Sequence, residues 1–158
     1  MSDDDTGATD GAGRLAGFLP YQLSVTSNAV SDLIAERYRN RFALKIPEWR
    51  VMAVLGDTGA MTQRGLTAAT LMDKVAVNRA VKVLEDRGLA ARVANPVDGR
   101  SHLLALTEDG RAIHAEIMPL ALAMEAELLS SFPPDQQTML RDMLAVIRLK
   151  AGELSRGA

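Results

Sequence analysis

The spacing of apolar residues predicts a chain built almost entirely of helices, interrupted once by a β-hairpin. Apolar positions recur every three or four residues, which places them on one face of a helix, in segments near 20–42, 46–55, 63–69, 73–88, 107–132 and 134–149. Between the fourth and fifth segments, the runs 89–95 and 101–106 flank the tip Pro96-Val-Asp-Gly-Arg100. Asp-Gly is a strong hairpin signal, so the chain is predicted to be mainly α with one small β-hairpin.

The fourth predicted helix has two faces of opposite character. Its apolar face consists of Val77, Ala80, Val81 and Leu84, and its polar face of Lys74, Asn78, Arg79, Lys82, Glu85 and Asp86. Asp73 can cap the first turn, and Gly88 stands where a C-terminal cap requires positive φ. One face is therefore expected to pack inside the protein and the other to meet a partner.

The polar face suits DNA. Its basic residues come first, and a recognition helix enters the major groove with its N-terminal end. Asn78 can bridge N6 and N7 of adenine, an exposed Val75 can meet a thymine methyl group, and Arg100 at the hairpin tip suits a narrow minor groove. The alternative is a solvated amphipathic helix in which a pair between Lys82 and Asp86 contributes about 0.2–0.5 kcal/mol.

Four segments of this region resemble the MarR family of bacterial winged-helix regulators in order and spacing. They are Val77-Asn-Arg-Ala-Val81, Leu84-Glu-Asp-Arg-Gly-Leu89, Asp98-Gly-Arg100 and Leu106-Thr-Glu-Asp-Gly110, with Ile46-Pro-Glu-Trp-Arg-Val51 upstream. The resemblance covers roughly 19–148. It implies a winged helix-turn-helix with an α-helical dimerisation arm formed by the N- and C-terminal helices. It also implies a homodimer that binds a pseudo-palindromic operator on double-stranded DNA and releases it when a small-molecule effector binds.

This organisation divides the chain into a disordered tail at 1–13, a winged helix-turn-helix lobe at 46–106 and a helical dimerisation region at 14–45 and 107–158. The tail lacks periodicity and cannot bury enough apolar surface to offset its ordering entropy. The last helix has a broad apolar surface, consisting of Met139, Leu140, Met143, Leu144, Val146 and Ile147. That surface favours an interface between subunits over a monomeric helical bundle.

Composition excludes several other classes. The hydrophobic fraction of 47% in 158 residues suits one domain, and no apolar run approaches the roughly 18 residues of a membrane span, so a cytoplasmic protein without a signal sequence is expected. There is no cysteine, and the two histidines, His102 and His114, form no metal-ligand cluster. The sequence ties together no nucleophile and base, so neither a cofactor nor an enzyme is predicted.

The net charge of −2 conceals a basic region. Residues 1–13 contain four aspartates and no base, so the remainder carries +2, and 61–102 contains seven bases and four acids, which is +3. Local positive charge is what phosphate contact requires. We expect base and groove contacts from Val75, Asn78, Arg79 and Arg100, phosphate contacts from Gln63, Lys74 and Lys82, and a contribution of Asp98 through the wing-tip motif.

The resemblance also implies a ligand pocket between the helical arm and the winged lobe. Its candidate residues are Tyr21, Tyr38, Arg41, Trp49 and His114. Aromatic walls with one arginine suit an aromatic carboxylate or its thioester, and relatives with Pro-Glu-Trp-Arg often control breakdown of aromatic acids. Core packing is the other interpretation of Trp49 and His114. The predicted function is a repressor released by such an effector, and the alternatives are a ligand-independent regulator of the same fold and a helical interaction protein that binds no DNA.

Overall fold

The computed structural model describes residues 10–157, with side chains from Arg14 onward, and confirms the mainly helical fold with one hairpin. In the described residues the elements are α1 (Asp10–Gly17), α2 (Leu19–Phe42), α3 (Ile46–Thr58), α4 (Gln63–Thr70), α5 (Lys74–Asp86), β1 (Ala90–Ala94), β2 (His102–Leu106), α6 (Glu108–Leu128) and α7 (Pro134–Arg156). The chain divides into two compact units, of which the first ends at Leu120 and the second begins at Ala121.

Several helix boundaries differ from the sequence prediction, including that of α6, which ends at Leu128 and not near 132. α1 begins at Asp10, inside the segment 1–13 predicted to be disordered, and residues 1–9 of that segment lie outside the described residues. α3 continues through Gly56 to Thr58, and the left-handed Gly59, with φ +82°, follows its end. α7 extends seven residues beyond 149, to Arg156, so its helical hydrogen bonds continue past the end of the predicted apolar stripe.

The core of the first unit lies between the short helices and the wing. Its fully buried side chains include Leu44, Val51, Met52, Leu66, Val77, Val81, Leu84 and Leu104. Met61 and Leu104 exchange two backbone hydrogen bonds, at 3.0 and 2.8 Å, so the segment before α4 pairs with β2. This pairing fixes the base of the wing against the helix-turn-helix.

Both predicted caps of α5 are confirmed. Asp73 Oδ1 accepts a hydrogen bond from the Ala76 N–H at 2.8 Å. At the other end, Gly88 has φ +69°, its N–H donates to the Glu85 carbonyl at 2.9 Å, and the Leu89 N–H donates to the Leu84 carbonyl at 2.8 Å. These two bonds form a Schellman motif, which ends the helix and turns the chain into β1.

The wing is an antiparallel pair in which Ala90 faces Leu106 and Ala94 faces His102. Seven residues, 95–101, connect the strands, and Gly99 lies outside the left-handed region. The Asp-Gly pair therefore does not form the two-residue turn that it usually indicates. The longer tip is instead stabilised by hydrogen bonds of the Asn95 and Asp98 side chains.

The start of α6 is attached directly to the junction of α5 and β1. The Thr107 N–H donates to the Leu89 carbonyl at 3.1 Å, the Thr107 hydroxyl donates to the Gly88 carbonyl at 2.6 Å, and that hydroxyl accepts from the Gly110 N–H at 3.1 Å. A Cβ on Gly110 would lie 1.9 Å from the Leu89 carbonyl oxygen. The Thr-x-x-Gly sequence thus permits an approach that any side chain at position 110 would block.

The second unit contains the end of α6 and all of α7. Gln137 Nε2 donates to the carbonyls of Leu129, at 3.0 Å, and Phe132, at 2.9 Å, and Arg141 pairs with Glu125 at 2.9 Å. α7 has no buried residue, and its apolar side chains from Met139 to Ile147 are exposed. None of the helices described is both long enough and apolar enough to cross a membrane.

Candidate nucleic-acid interface and ligand cluster

A groove between α4 and α5 brings three of the predicted DNA-contacting residues together. Gln63, Lys74 and Asn78 line this open groove of about 550 Å³, beside Arg64 and Thr67. Arg64 is included in the net charge of 61–102, but no DNA contact was predicted for it from the sequence. Its positive charge and its position next to Gln63 could have indicated one. The structure adds it to the candidate interface.

Several cations of the helix-turn-helix and the wing have side chains that are free to meet phosphate. Within the described residues, Arg64, Lys74, Arg79 and Arg100 have neither a carboxylate partner nor a side-chain hydrogen bond. Lys82 differs, because its Nζ lies 3.1 Å from Asp86 Oδ2. Both of those side chains are more than half exposed, so the pair is worth only a few tenths of a kcal/mol and a phosphate can displace it.

The amide groups of Gln63 and Asn78 are hydrogen-bonded to each other. Gln63 Nε2 donates to Asn78 Oδ1, across the groove between the first residue of α4 and the second turn of α5. Asn78 is exposed and Gln63 half-buried, so the pair lies on the surface that α5 presents. Val75, one turn earlier on α5, is 57% exposed, as its predicted contact with a thymine methyl group requires.

The wing tip is held by short-range hydrogen bonds. Asp98 Oδ1 accepts from the Arg100 N–H at 3.0 Å, and the Asp98 carbonyl accepts from the Ser101 N–H at 3.0 Å. Asn95 Nδ2 donates to Ser101 Oγ at 2.7 Å, which closes the loop. Asp98 thus shapes the tip, as the carboxylate of an Asx turn does. At this tip Val97 is 92% exposed, and the exposed side chain of Arg100 has no hydrogen-bond partner in the described part of the chain.

Three predicted ligand residues form one cluster of rings, in which Trp49 stacks on His114 and Tyr38 is tilted by 41° against Trp49. Tyr38 of α2 and Trp49 of α3 have centroids 5.6 Å apart, and Trp49 and His114 of α6 have centroids 5.7 Å apart with planes inclined by 26°. Tyr38 and Trp49 are only 1% and 8% exposed. Burial raises the pKa of Tyr38 to about 12; nearby Arg39 and Arg50 oppose the rise, and nearby acids add to it.

Gly56 is what allows His114 to approach α3, since a Cβ there would lie 2.4 Å from its Nε2 atom. Arg41, one turn beyond Tyr38, pairs with Glu116 of α6, and its guanidinium lies 5.0 Å from the centroid of the Phe42 ring. Tyr21 is not part of this cluster within one chain. It lies 17 residues before Tyr38 on the continuous α2, which is about 25 Å along the helix axis.

Arg87 links the end of α5 to the end of α2, a contact that sequence reasoning missed. Its guanidinium donates to the carbonyls of Phe42, at 2.6 Å, and Ala43, at 2.9 Å. The last carbonyls of a helix lack partners within it, so this charged donor satisfies two of them. The helix that carries Tyr38 and Arg41 is therefore tied to the helix predicted to read DNA.

Comparison with known proteins agrees with this architecture. A sequence profile of the MarR family matches residues 44–101. The transcriptional repressor Rv2887 of Mycobacterium tuberculosis is 29% identical over 101 residues, which are 64% of this chain and 73% of that protein. A MarR family regulator from Silicibacter pomeroyi superposes with a TM-score of 0.78 at 30% identity, over 94% of this chain and 98% of that one.

A further similar structure is that of CouR from Rhodococcus jostii RHA1 bound to p-coumaroyl-CoA. It has a TM-score of 0.75 and 25% identity over 84% of this chain and 93% of that one. On the profile and on the 30% identity over nearly the whole Silicibacter protein, the chain belongs to the MarR family. It is a DNA-binding transcriptional regulator and not an enzyme.

Proposed function

We propose that the chain is a homodimeric repressor, and that a small aromatic carboxylate or its thioester releases it from a pseudo-palindromic operator. The main observation behind the proposed ligand response is the ring cluster formed by Tyr38, Trp49 and His114. These rings belong to three different helices, α2, α3 and α6. A planar ligand that entered this ring cluster would have to separate those helices. Because Arg87 ties α2 to α5, a movement of α2 would also move the helix proposed to read DNA.

Arg41 supplies the charge that such a ligand requires. Arg41 pairs with Glu116, and both side chains are about half exposed to solvent. The carboxylate of a ligand can therefore replace that of Glu116 at Arg41, because the displaced Glu116 would remain solvated. CouR binds p-coumaroyl-CoA, which is the thioester of an aromatic acid, and Rv2887 is described as a transcriptional repressor. Both relatives support the proposed effector class and the proposed direction of control.

The dimer rests on the apolar face of α7, since MarR regulators form dimers and this face is uncovered in one chain. Light scattering should give twice the 17.0 kDa mass of the chain. Leu144→Asp places a charge in the middle of that face and should give the monomer mass, while Arg148→Gln, on an exposed position of the same helix, lowers the net charge by the same one unit and serves as the control. A wild-type chain that is monomeric at micromolar concentration would contradict the interface.

Operator geometry is tested with duplexes selected from a random library. A two-fold dimer requires half-sites about one helical turn apart, 10–10.5 bp or a multiple. Inserting five base pairs between the half-sites should abolish tight binding, because one half-site then faces away from the protein. Inserting ten serves as the control for length alone, and full affinity after the five-base-pair insertion would refute the rigid dimer.

The ligand response is tested by linkage. p-Coumarate and p-coumaroyl-CoA are titrated into the free protein and into its complex with the selected duplex, with coenzyme A as the control. A hundredfold loss of DNA affinity corresponds to about 2.7 kcal/mol of coupling, and the duplex must then weaken the ligand by the same factor. Binding that is equally tight in both titrations would contradict the effector role.

A ligand-independent regulator is the second candidate, and the burial of Tyr38 and Trp49 favours it. Closed aromatic packing of this kind is also what an ordinary core provides. The fluorescence of Trp49, the only tryptophan, separates the two. A spectrum unchanged by either compound, together with undiminished DNA binding, would favour the second candidate.

A further inference from the structure

We infer that Gln63 and Asn78 read DNA as one unit. Gln63 orients the Asn78 amide through their hydrogen bond and thereby determines which base Asn78 prefers to contact. The inference rests on the DNA-binding role above and assigns Gln63 a different part from the phosphate contact predicted from sequence. Its basis is the hydrogen bond from Gln63 Nε2 to Asn78 Oδ1.

The bond couples the orientations of the two amides. A side-chain amide has an acceptor end and a donor end, and rotation by 180° exchanges them. In the structure Asn78 Oδ1 faces the Gln63 NH₂ group, and rotating the Asn78 amide alone would set two NH₂ groups against each other, so Asn78 can reverse its amide only if Gln63 rotates with it. Asn78 Nδ2 is thereby left as a free donor, and Oδ1 keeps one lone pair.

This fixed pattern matches adenine and mismatches guanine. In the major groove adenine offers the acceptor N7 and the donor N6, while guanine offers two acceptors, N7 and O6. An amide held with its donor to N7 and its oxygen beside position 6 bonds adenine twice, but sets oxygen against oxygen on guanine. An amide released from Gln63 can instead shift so that its NH₂ group alone contacts N7 or O6 of guanine, with its oxygen turned away from the base, and it then discriminates less against guanine.

The two roles of Gln63 therefore make different predictions. Loss of a phosphate contact weakens every sequence alike, since phosphates carry no sequence information. Loss of an orienting contact instead changes the preference between bases at the position that Asn78 reads. The groove supplies a control, because Lys74 lines it beside both amides and has no bond to either.

The experiment is selection from a random duplex library, followed by competition between duplexes that carry adenine or guanine at each enriched position. Wild type, Gln63→Met, Asn78→Ala, the double variant and Lys74→Ala are compared. Gln63→Met keeps the length of the side chain and removes the donor. Gln63 is half-buried and Asn78 exposed, and a thermal melt of each variant checks that it is folded.

Asn78→Ala is expected to abolish the adenine preference at one position of each half-site. Gln63→Met should reduce that same preference by on the order of fivefold, and the double variant should match Asn78→Ala, because the two residues act together. Lys74→Ala should weaken all duplexes alike. A Gln63→Met protein that loses affinity uniformly and keeps its adenine preference would overturn the inference. If wild type enriched no sequence, the DNA-binding role itself would fail.

Discussion

Gly110→Ala should destabilise the protein, although glycine to alanine inside a helix ordinarily does the opposite. Position 110 is buried in the first turn of α6, where a Cβ would lie 1.9 Å from the Leu89 carbonyl oxygen. Ordinary contact begins near 3.4 Å, so the helix must retreat by about 1.5 Å. That retreat stretches the bonds of Thr107 to the carbonyls of Leu89 and Gly88 beyond hydrogen-bonding range.

The opposing effects have known sizes. Alanine gains about 1 kcal/mol in helix propensity. Against this stand two lost hydrogen bonds, at about 1 kcal/mol each, and overpacking of about 1–3 kcal/mol. We therefore expect a net loss of about 2–4 kcal/mol, because the obstacle is backbone and cannot rotate aside.

Urea unfolding at one fixed protein concentration measures the loss, because dimerisation would make stability depend on concentration. Gly152→Ala is the matched control, since position 152 lies in α7 with nothing within 4 Å of an added Cβ. It should stabilise the protein by about 0.5–1 kcal/mol. If both substitutions stabilised the protein equally, the close approach of α6 to Leu89 would be wrong.

Three further predictions concern single side chains. Lys82→Ala should weaken all duplexes alike and reduce the salt slope of binding by about one, and an unchanged slope would remove Lys82 from the phosphate contacts. Arg87→Met keeps the aliphatic stem but loses the hydrogen bonds to the carbonyls of Phe42 and Ala43. It should lower the unfolding free energy by about 1 kcal/mol and weaken DNA binding without changing its salt slope. A DNA affinity equal to that of wild type would refute the coupling of α2 to α5 through Arg87. Burial raises the pKa of Tyr38 in the folded protein from its ordinary 10.0 to about 12, so the neutral form stabilises the fold fully below pH 10, and this contribution is lost as the pH rises from 10 toward 12. The loss should reach about 1 kcal/mol at pH 11 and be absent from Tyr38→Phe, and parallel pH profiles of the two proteins would contradict it.

The helices and the hairpin followed from the sequence because their causes are local. Asp73 caps α5 through a residue three positions away, and Gly88 ends it through bonds that span at most five residues. The apolar stripe of α5 likewise depends only on the helical period. Local causes also have local limits, since α1 has only eight residues, three of them glycine, and the last turns of α7 lie beyond the predicted apolar stripe.

The contacts between elements were decided by the tertiary structure. Fifteen residues separate Gln63 from Asn78, and seventy-five separate Arg41 from Glu116, so each contact depends on how two helices pack. The family resemblance placed five candidate residues in one ligand site, but the continuous helix α2 separates Tyr21 from the other four within a chain. Arg87 looked like an ordinary surface charge in the sequence. It reaches the carbonyls of α2 only because α5 and α2 end side by side, and no local propensity encodes the distance between two helix ends.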